Sequence, residues 1–298
     1  MNKYLYGLLV VATTSLMGSA FAIGKVGLDY ASPILLVALR FIVAGIFMGA
    51  IVLLLKRPHP KSFPDWFRIF IIGFFQTAAV MGCIFVSLET ITAGESSILT
   101  FINPLLVIIF GTIFLKMNFQ KLQWIGVIVG FLGVFITFGA QLSIKIGTFL
   151  GFMSAVAWAI GTLLIKTWGP KFDVWVLTAY QMLFGGIVLF LASFVLETPF
   201  FEVTALSTVI LLWLAIMASV VQFAIWFYLL RIGDPGKTSA FLFLAPFFGV
   251  LSGWVLLNEP IHWYVMVGGV FIFLGIFLAN WTPKPKLQYE TEKITRTS

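Results

Sequence analysis

Residues 94–115, GESSILTFINPLLVIIFGTIFL, return 142 positions later as residues 236–257, GKTSAFLFLAPFFGVLSGWVLL. The pairing extends without a gap to 94–136 against 236–278, and eleven of its 43 paired positions are identical. Shared Leu and Phe carry little information in a chain this apolar. The shared Gly94/Gly236, Gly111/Gly253, Gly126/Gly268, Gly133/Gly275 and Pro104/Pro246 carry more, because each residue type constrains or frees the backbone at one place. A proline in the middle of an apolar segment, written at the same place in both halves, is the kind of interruption that marks a transporter binding site.

Around this repeat the 298 residues are 61% hydrophobic and 10% charged, with a mean hydropathy of +1.09. That balance excludes a soluble domain. Crossing about 30 Å of hydrocarbon takes about 20 apolar residues in a helix. Ten such runs can be marked, at roughly 4–24, 33–55, 66–88, 94–115, 122–140, 146–167, 174–196, 207–230, 236–257 and 264–281. The connections are short and leave no room for a soluble domain. The expected class is all-α integral membrane, with ten transmembrane helices as two five-helix repeats, 1–140 and 141–281, and a disordered cytoplasmic tail at 282–298.

The net charge of +7 does not point to nucleic acid, because the charges alternate with the spans. With the amino terminus inside, fifteen Lys and Arg fall on the cytoplasmic side and only Lys25 and Lys145 outside, with Arg40 within a span. This positive-inside bias puts both termini in the cytoplasm and so requires an even number of spans. The amino terminus imitates a signal peptide, with Ala20-Phe21-Ala22 as a plausible cleavage site. Retention is expected, since residues 146–167 repeat its layout internally. Cys83 stands alone and forms no intramolecular disulfide, and His59 and His262 lie in separate connections. No metal and no cofactor are expected.

Five spans per repeat is an odd number, so the second copy enters the membrane from the opposite side. The halves are then inverted about an axis in the membrane plane, with the substrate near the midplane and alternating access as the mechanism. Pro104 and Pro246 are the expected helix breaks, each withholding an N–H from the preceding turn. Ser97, Thr100 and Asn103 lie within a turn or two of the first break and Ser239 near the second. Gln76 and Gln222 are the remaining deep amides, and uncharged groups cost less to bury than ions. Trp158 and Trp226 are expected as apolar walls. Arg40 at the outer mouth either snorkels to the headgroups or faces a polar cavity or an anionic substrate. Glu95 either complements a helix start or binds a coupling proton. Pairs such as Gly45/Gly49 and Gly126/Gly130 are read as close helix packing.

These residues resemble the drug/metabolite transporter superfamily, specifically its EamA-type members, over about residues 5–281. The resemblance rests on the two five-span repeats, ALRFIVAG in the second span, the paired TAGESSILTFINPLLVIIFG and PGKTSAFLFLAPFFGVLSG segments, and Asn258-Glu259-Pro260. The first repeat departs from it with Lys116-Met117-Asn118, and the first span carries Met17-Gly18 where such proteins often have Trp-Gly. The resemblance implies a ten-helix exporter of small metabolites, often amino acids, with a cavity lined by spans 1, 3, 4, 6, 8 and 9. A monomer in the cell membrane, acting on a small polar or zwitterionic solute, is the expected form. A flippase for lipid or lipid-linked substrates is the alternative within transport. A membrane-embedded enzyme would need a site, and no His-Glu-x-x-His, Gly-x-Ser-x-Gly or pair of intramembrane aspartates is present.

Overall fold

The computed structural model describes residues 3–137, 145–232 and 241–280. In chain order the helices are α1 (Lys3–Gly27), α2 (Pro33–Leu54), α3 (Phe63–Ser87), α4 (Ala93–Leu115), α5 (Lys121–Thr137), α6 (Ile146–Trp168), α7 (Val174–Leu196), α8 (Ala205–Leu229), α9 (Leu244–Leu257) and α10 (Trp263–Asn280). All but α5, α9 and α10 are long and apolar enough to cross a membrane. The spans expected for those three, 122–140, 236–257 and 264–281, each run beyond the described residues. Ser239 and the tail 282–298 lie outside them. Among the described residues the β pairing is one isolated bridge, Ala31 to Phe201.

Local signals set the helix ends. Pro33 occupies the first turn of α2, where its missing N–H is lost without penalty. Thr92 and Glu95 close a capping box at the start of α4, and the Asp173 carboxylate accepts from Trp175 N and Val176 N at the start of α7. At the far ends of α4 and α9 the chain turns left-handed at Lys116 and Asn258, each with φ 51°. Met117 N then donates to Gly111 O at 3.0 Å, and Glu259 N to Gly253 O at 3.2 Å. The same turn is therefore built twice, 142 residues apart.

Three helices are irregular inside. The α4 helix breaks at Phe101–Ile102 and restarts at Asn103, which puts Pro104 in a first turn rather than mid-helix. The α3 helix passes through a π-turn at Phe74–Ala79 and α8 through one at Trp213–Val221. No proline or glycine pair announces either π-turn in the sequence.

The helices pack as α2 on α7, α5 on α10, α1 on α9, and α6 on both α3 and α4. Two of these contacts are reciprocal. Gly45 of α2 lies against the backbone of Leu183, while Gly186 of α7 lies against Ile42; a Cβ on either glycine would stand 2.7–2.8 Å from backbone atoms. Gly133 of α5 meets Gly268 O and Ile272 N, while Gly275 of α10 meets Gly126 O and Gly130 N. With little hydrophobic force between helices in lipid, such close backbone contact is what holds them together. Gly49, by contrast, has open space around it. The outer faces expose Ile113, Phe114, Leu191 and Val195, an apolar surface suited to lipid and not to water.

Ion pairs separate the two ends of the bundle. The connections after α2, α4 and α6 form a basic end, where Arg57 pairs with Asp173 and Lys171 with Asp65. The connections after α1, α3, α7 and α9 form an acidic end carrying Asp29, Glu89, Glu197, Glu202 and Glu259.

Candidate functional site: a central cavity between the two halves

Two adjoining spaces lie between the halves and share Met17, Gln76, Phe101, Trp158, Gln181, Gln222 and Phe223 in their walls. The larger holds about 480 Å³, a size in the range of small-molecule sites, roughly 300–1,000 Å³. Asn103, Pro104, Trp226 and Pro246 line it, and it extends past Ile165 and Val174 to Phe119 and Gln123 at the basic end. The smaller space, about 70 Å³, lies deeper towards the acidic end and is lined by Arg40, Thr77, Ala218 and Phe85.

The π-turns place the amides in this cavity. Gln76 sits within the π-turn of α3, and Gln222 follows that of α8 directly. A π-turn inserts a residue and re-aims side chains, and such turns are frequent at functional sites. Gln222 Nε2 donates to Thr13 Oγ1 at 3.4 Å, and the Thr13 hydroxyl donates to Gln222 O at 3.1 Å, fixing α8 to α1. The Oε1 atoms of Gln76 and Gln181 are buried without a donor among the described residues.

Arg40 does not reach for headgroups. It is buried, donating from Nε to Ser219 Oγ at 3.0 Å and from Nη2 to Ala218 O at 2.9 Å, with Cζ 4.8 Å from the Phe41 ring centre. Both acceptors belong to the π-turn of α8. Ser219 Oγ in turn donates to Leu214 O at 2.9 Å. Trp158 stands edge-on to Phe101 with ring centres 5.3 Å apart and forms an apolar wall.

Other sequence candidates lie elsewhere. Ser97 donates to Gly94 O and packs on Gly249, and Thr100 shares a 2.8 Å hydrogen bond with Ser154 of α6. Both are buried between helices and line neither space. Glu95 serves its capping box at the acidic end. Gln181, Thr77 and Met17 line the cavity without being among the residues expected there from sequence. A signal for Gln181 was available, since it occupies the position in the second repeat that Arg40 occupies in the first, 141 residues earlier.

The acidic end is tied shut. Lys25 Nζ lies 2.9 Å from Glu259 Oε1 and donates to Ile91 O at 2.8 Å. The Glu259 carboxylate also accepts from Ala93 N, at 2.9 and 3.0 Å from its two oxygens, and so caps α4. Glu197 accepts from Ser32 Oγ, Ile34 N and Leu35 N at 2.8–3.0 Å, joining α7 to the start of α2. Beneath these ties Phe85 closes the small space, its ring against Gly24.

Comparison with known proteins agrees with this architecture. The chain is 26% identical to the uncharacterized transporter YvbV of Bacillus subtilis over 279 residues, covering 92% of this chain and 90% of that one. It is 26% identical to an uncharacterized transporter of Archaeoglobus fulgidus over 280 residues, 91% of this chain and 97% of that one. A solved crystal structure superposes with a TM-score of 0.66 at 19% identity, covering 91% of this chain and 96% of the other, which shows a common fold. The family model described as EamA-like transporter family matches twice, over residues 5–139 and 145–281, and the chain, a membrane-embedded transporter, belongs to that family.

Proposed function

We propose that this protein is a secondary transporter that exports a small polar or zwitterionic metabolite across the cell membrane by alternating access. The observation that carries the reading is the central cavity. It is lined by amides, aromatic rings and Arg40, reaches the basic end, and is closed at the acidic end by Phe85, the Lys25–Glu259 ion pair and the hydrogen bonds of Glu197. With the basic end cytoplasmic by the positive-inside rule, both termini are inside and the cavity faces the cytoplasm.

The reciprocal glycine contacts support two inverted five-helix repeats forming ten spans. Gly45 meets Leu183 as Gly186 meets Ile42, and these positions exchange on shifting by 141 residues. The α1–α9 contact likewise has its counterpart in α6–α4. Halves related in this way can exchange conformations, which opens the site first to one side and then to the other. One chain supplies both halves, so a monomer suffices.

The test is uptake of a solute panel into sealed proteoliposomes reconstituted with the purified chain. Accumulation of a water-soluble solute, impaired by substitution at Gln222, supports the reading. Movement of labelled lipids alone would replace it with a flippase.

A further inference from the structure

We propose that Arg40, together with the unpartnered amide oxygens of Gln76 and Gln181, recognises a single carboxylate and a neighbouring N–H donor on the transported solute. The proposal rests on the reading that this cavity carries solute, and it assigns the chemistry by which the cavity selects.

The first observation is a charge without a counterion. Among the described residues Arg40 is the sole charged side chain lining either part of the cavity. Its acceptors are a hydroxyl and a backbone carbonyl, both neutral. A guanidinium has five N–H donors in a rigid fork suited to carboxylates. Those two bonds leave three donors, one on Nη2 and both on Nη1, without a protein acceptor among the described residues. A buried cation in this state is costly unless an anion reaches it. The small space beside Arg40 adjoins the larger chamber, with which it shares seven wall residues, and that chamber reaches the basic end.

The second observation is independent of charge. Gln181 is only 4% exposed, and its Oε1, like that of Gln76, has no donor among the described residues. Both side chains line the same space as Arg40. Two orphaned acceptors beside an unneutralised cation complement a group that is anionic at one point and donates hydrogen bonds at the next. The volume also fits. About 70 Å³ holds a carboxylate or a pair of waters, at about 30 Å³ of liquid volume per water. Phe101, Trp158 and Phe223 line both the small space and the chamber, and they favour an apolar or aromatic remainder. Arg40 and Gln181 hold equivalent positions of the two repeats, on the paired helices α2 and α7, so the two halves would contribute the two kinds of contact.

The experiment is a thermal-shift titration of the full chain in lipid nanodiscs. The probes are the twenty free amino acids, the methyl esters and decarboxylated amines of leucine, phenylalanine and tryptophan, their des-amino acids, and sodium chloride. At least one free apolar or aromatic acid is expected to stabilise the protein, with its ester and amine at least about 10-fold weaker. Arg40→Gln should abolish the response. Arg40→Lys, which keeps the charge but loses the fork, should retain a weakened one and so exclude misfolding as the cause. Gln181→Leu should narrow the gap between each acid and its des-amino analogue while keeping the preference over the ester. Esters as effective as acids, a full shift with chloride alone, or no response to any free acid would each overturn the proposal. Transport of neutral sugars or nucleosides through the cavity would sink the carboxylate assignment and leave the transporter reading intact. Absence of all solute transport would sink the transporter reading itself.

Discussion

Lys25 Nζ and Glu259 Oε1 are 2.9 Å apart at the acidic end, and the positions equivalent to them in the other repeat are Lys166 and Met117 at the basic end. There Lys166 Nζ lies 3.5 Å from Met117 Sδ. The backbone is the same at both places, with a left-handed residue followed by an N–H returning to Gly253 or Gly111. One side chain differs. A carboxylate makes a charge-assisted pair with lysine and caps a facing helix, and a thioether does neither. The Lys25–Glu259 pair thus has no counterpart at Lys166 and Met117, although other connections of the basic end are paired through Arg57–Asp173 and Lys171–Asp65.

Removing the pair should shift the balance. Lys25→Met and Glu259→Gln are expected to raise accessibility from the acidic side, read as faster labelling of a cysteine placed at Phe85 in a background lacking Cys83. Differential terms of about 1–3 kcal/mol correspond to roughly 5- to 150-fold in the ratio of states. Unchanged labelling in both variants would show that the pair does not hold the closure.

Met117→Glu makes the opposite change. It would give Lys166 a carboxylate at the basic end and so stabilise the state closed there. The expected result is slower labelling at Phe119 from the basic side, and slower net transport because leaving the new closed state becomes harder. Faster or unchanged transport with unchanged labelling would refute the symmetry argument.

Burial and the nearby Glu197 carboxylate hold the Glu89 carboxyl, at the acidic end, above its ordinary value. A carboxyl with a raised folded value favours folding while protonated. Its contribution is present below the unfolded value of about 4.3 and is lost as pH rises through the folded value. Glu89→Gln should therefore leave the apparent Tm unchanged in acid and raise it slightly at neutral pH. Equal Tm values at both ends of the range would mean that Glu89 is not strained.

The helices could be read from the sequence because each apolar run is bounded by its own cap, turn or charge, as at Pro33, Thr92 and Asp173. The cavity was only partly readable. Asn103, Trp158, Gln222 and Trp226 line it because polar and aromatic residues deep in a span have few other places to go. Ser97 and Thr100 are similarly polar and lie close by, yet Ser97 is satisfied by Gly94 O of its own helix and Thr100 by Ser154 of α6. Their difference from Asn103 is rotational and depends on where α4 breaks, two residues before the proline. The π-turns of α3 and α8 left no mark in composition, although they decide where Gln76, Ser219 and Gln222 point. Gly49 likewise has the spacing of a packing residue and faces open space.

That contrast between glycines can be measured. Gly186→Leu forces a side chain into the backbone of Ile42, and overpacking of this kind costs about 1–3 kcal/mol. It should lower folded yield and apparent Tm, while Gly49→Leu, with nothing within 4 Å, should do neither. Equal tolerance at both sites would contradict the α2–α7 contact.

Topology is open to direct labelling. Lys61 and Lys145 are expected on opposite faces of the membrane, with Lys61 inside. In a background lacking Cys83, Lys61→Cys and Lys145→Cys should therefore react with an impermeant thiol reagent from opposite sides. Labelling from the same side would remove the inverted-repeat topology and the export direction derived from it.

The midplane assignment stands or falls on the amides. Gln222 links α8 to α1 through Thr13 and also lines both parts of the cavity, whereas Asn103 lines the larger chamber beside the α4 break. If they orient the solute, Gln222→Ala and Asn103→Ala should each lower transport per folded molecule by about 3- to 10-fold, the effect of losing one hydrogen bond. Insertion should be unchanged. Trp226→Ala should weaken apparent affinity, because it removes an aromatic wall and no polar contact. Pro104→Ala acts differently. It allows the two parts of α4 to join and should slow the cycle while leaving solute binding close to that of the parent. Quantifying folded protein by size exclusion before each proteoliposome assay separates these effects from stability. If the Gln76, Asn103 and Gln222 alanine variants all transport at the parental rate, these amides do not orient the solute, and Arg40 and Glu95, nearer the acidic end, become the groups to substitute next.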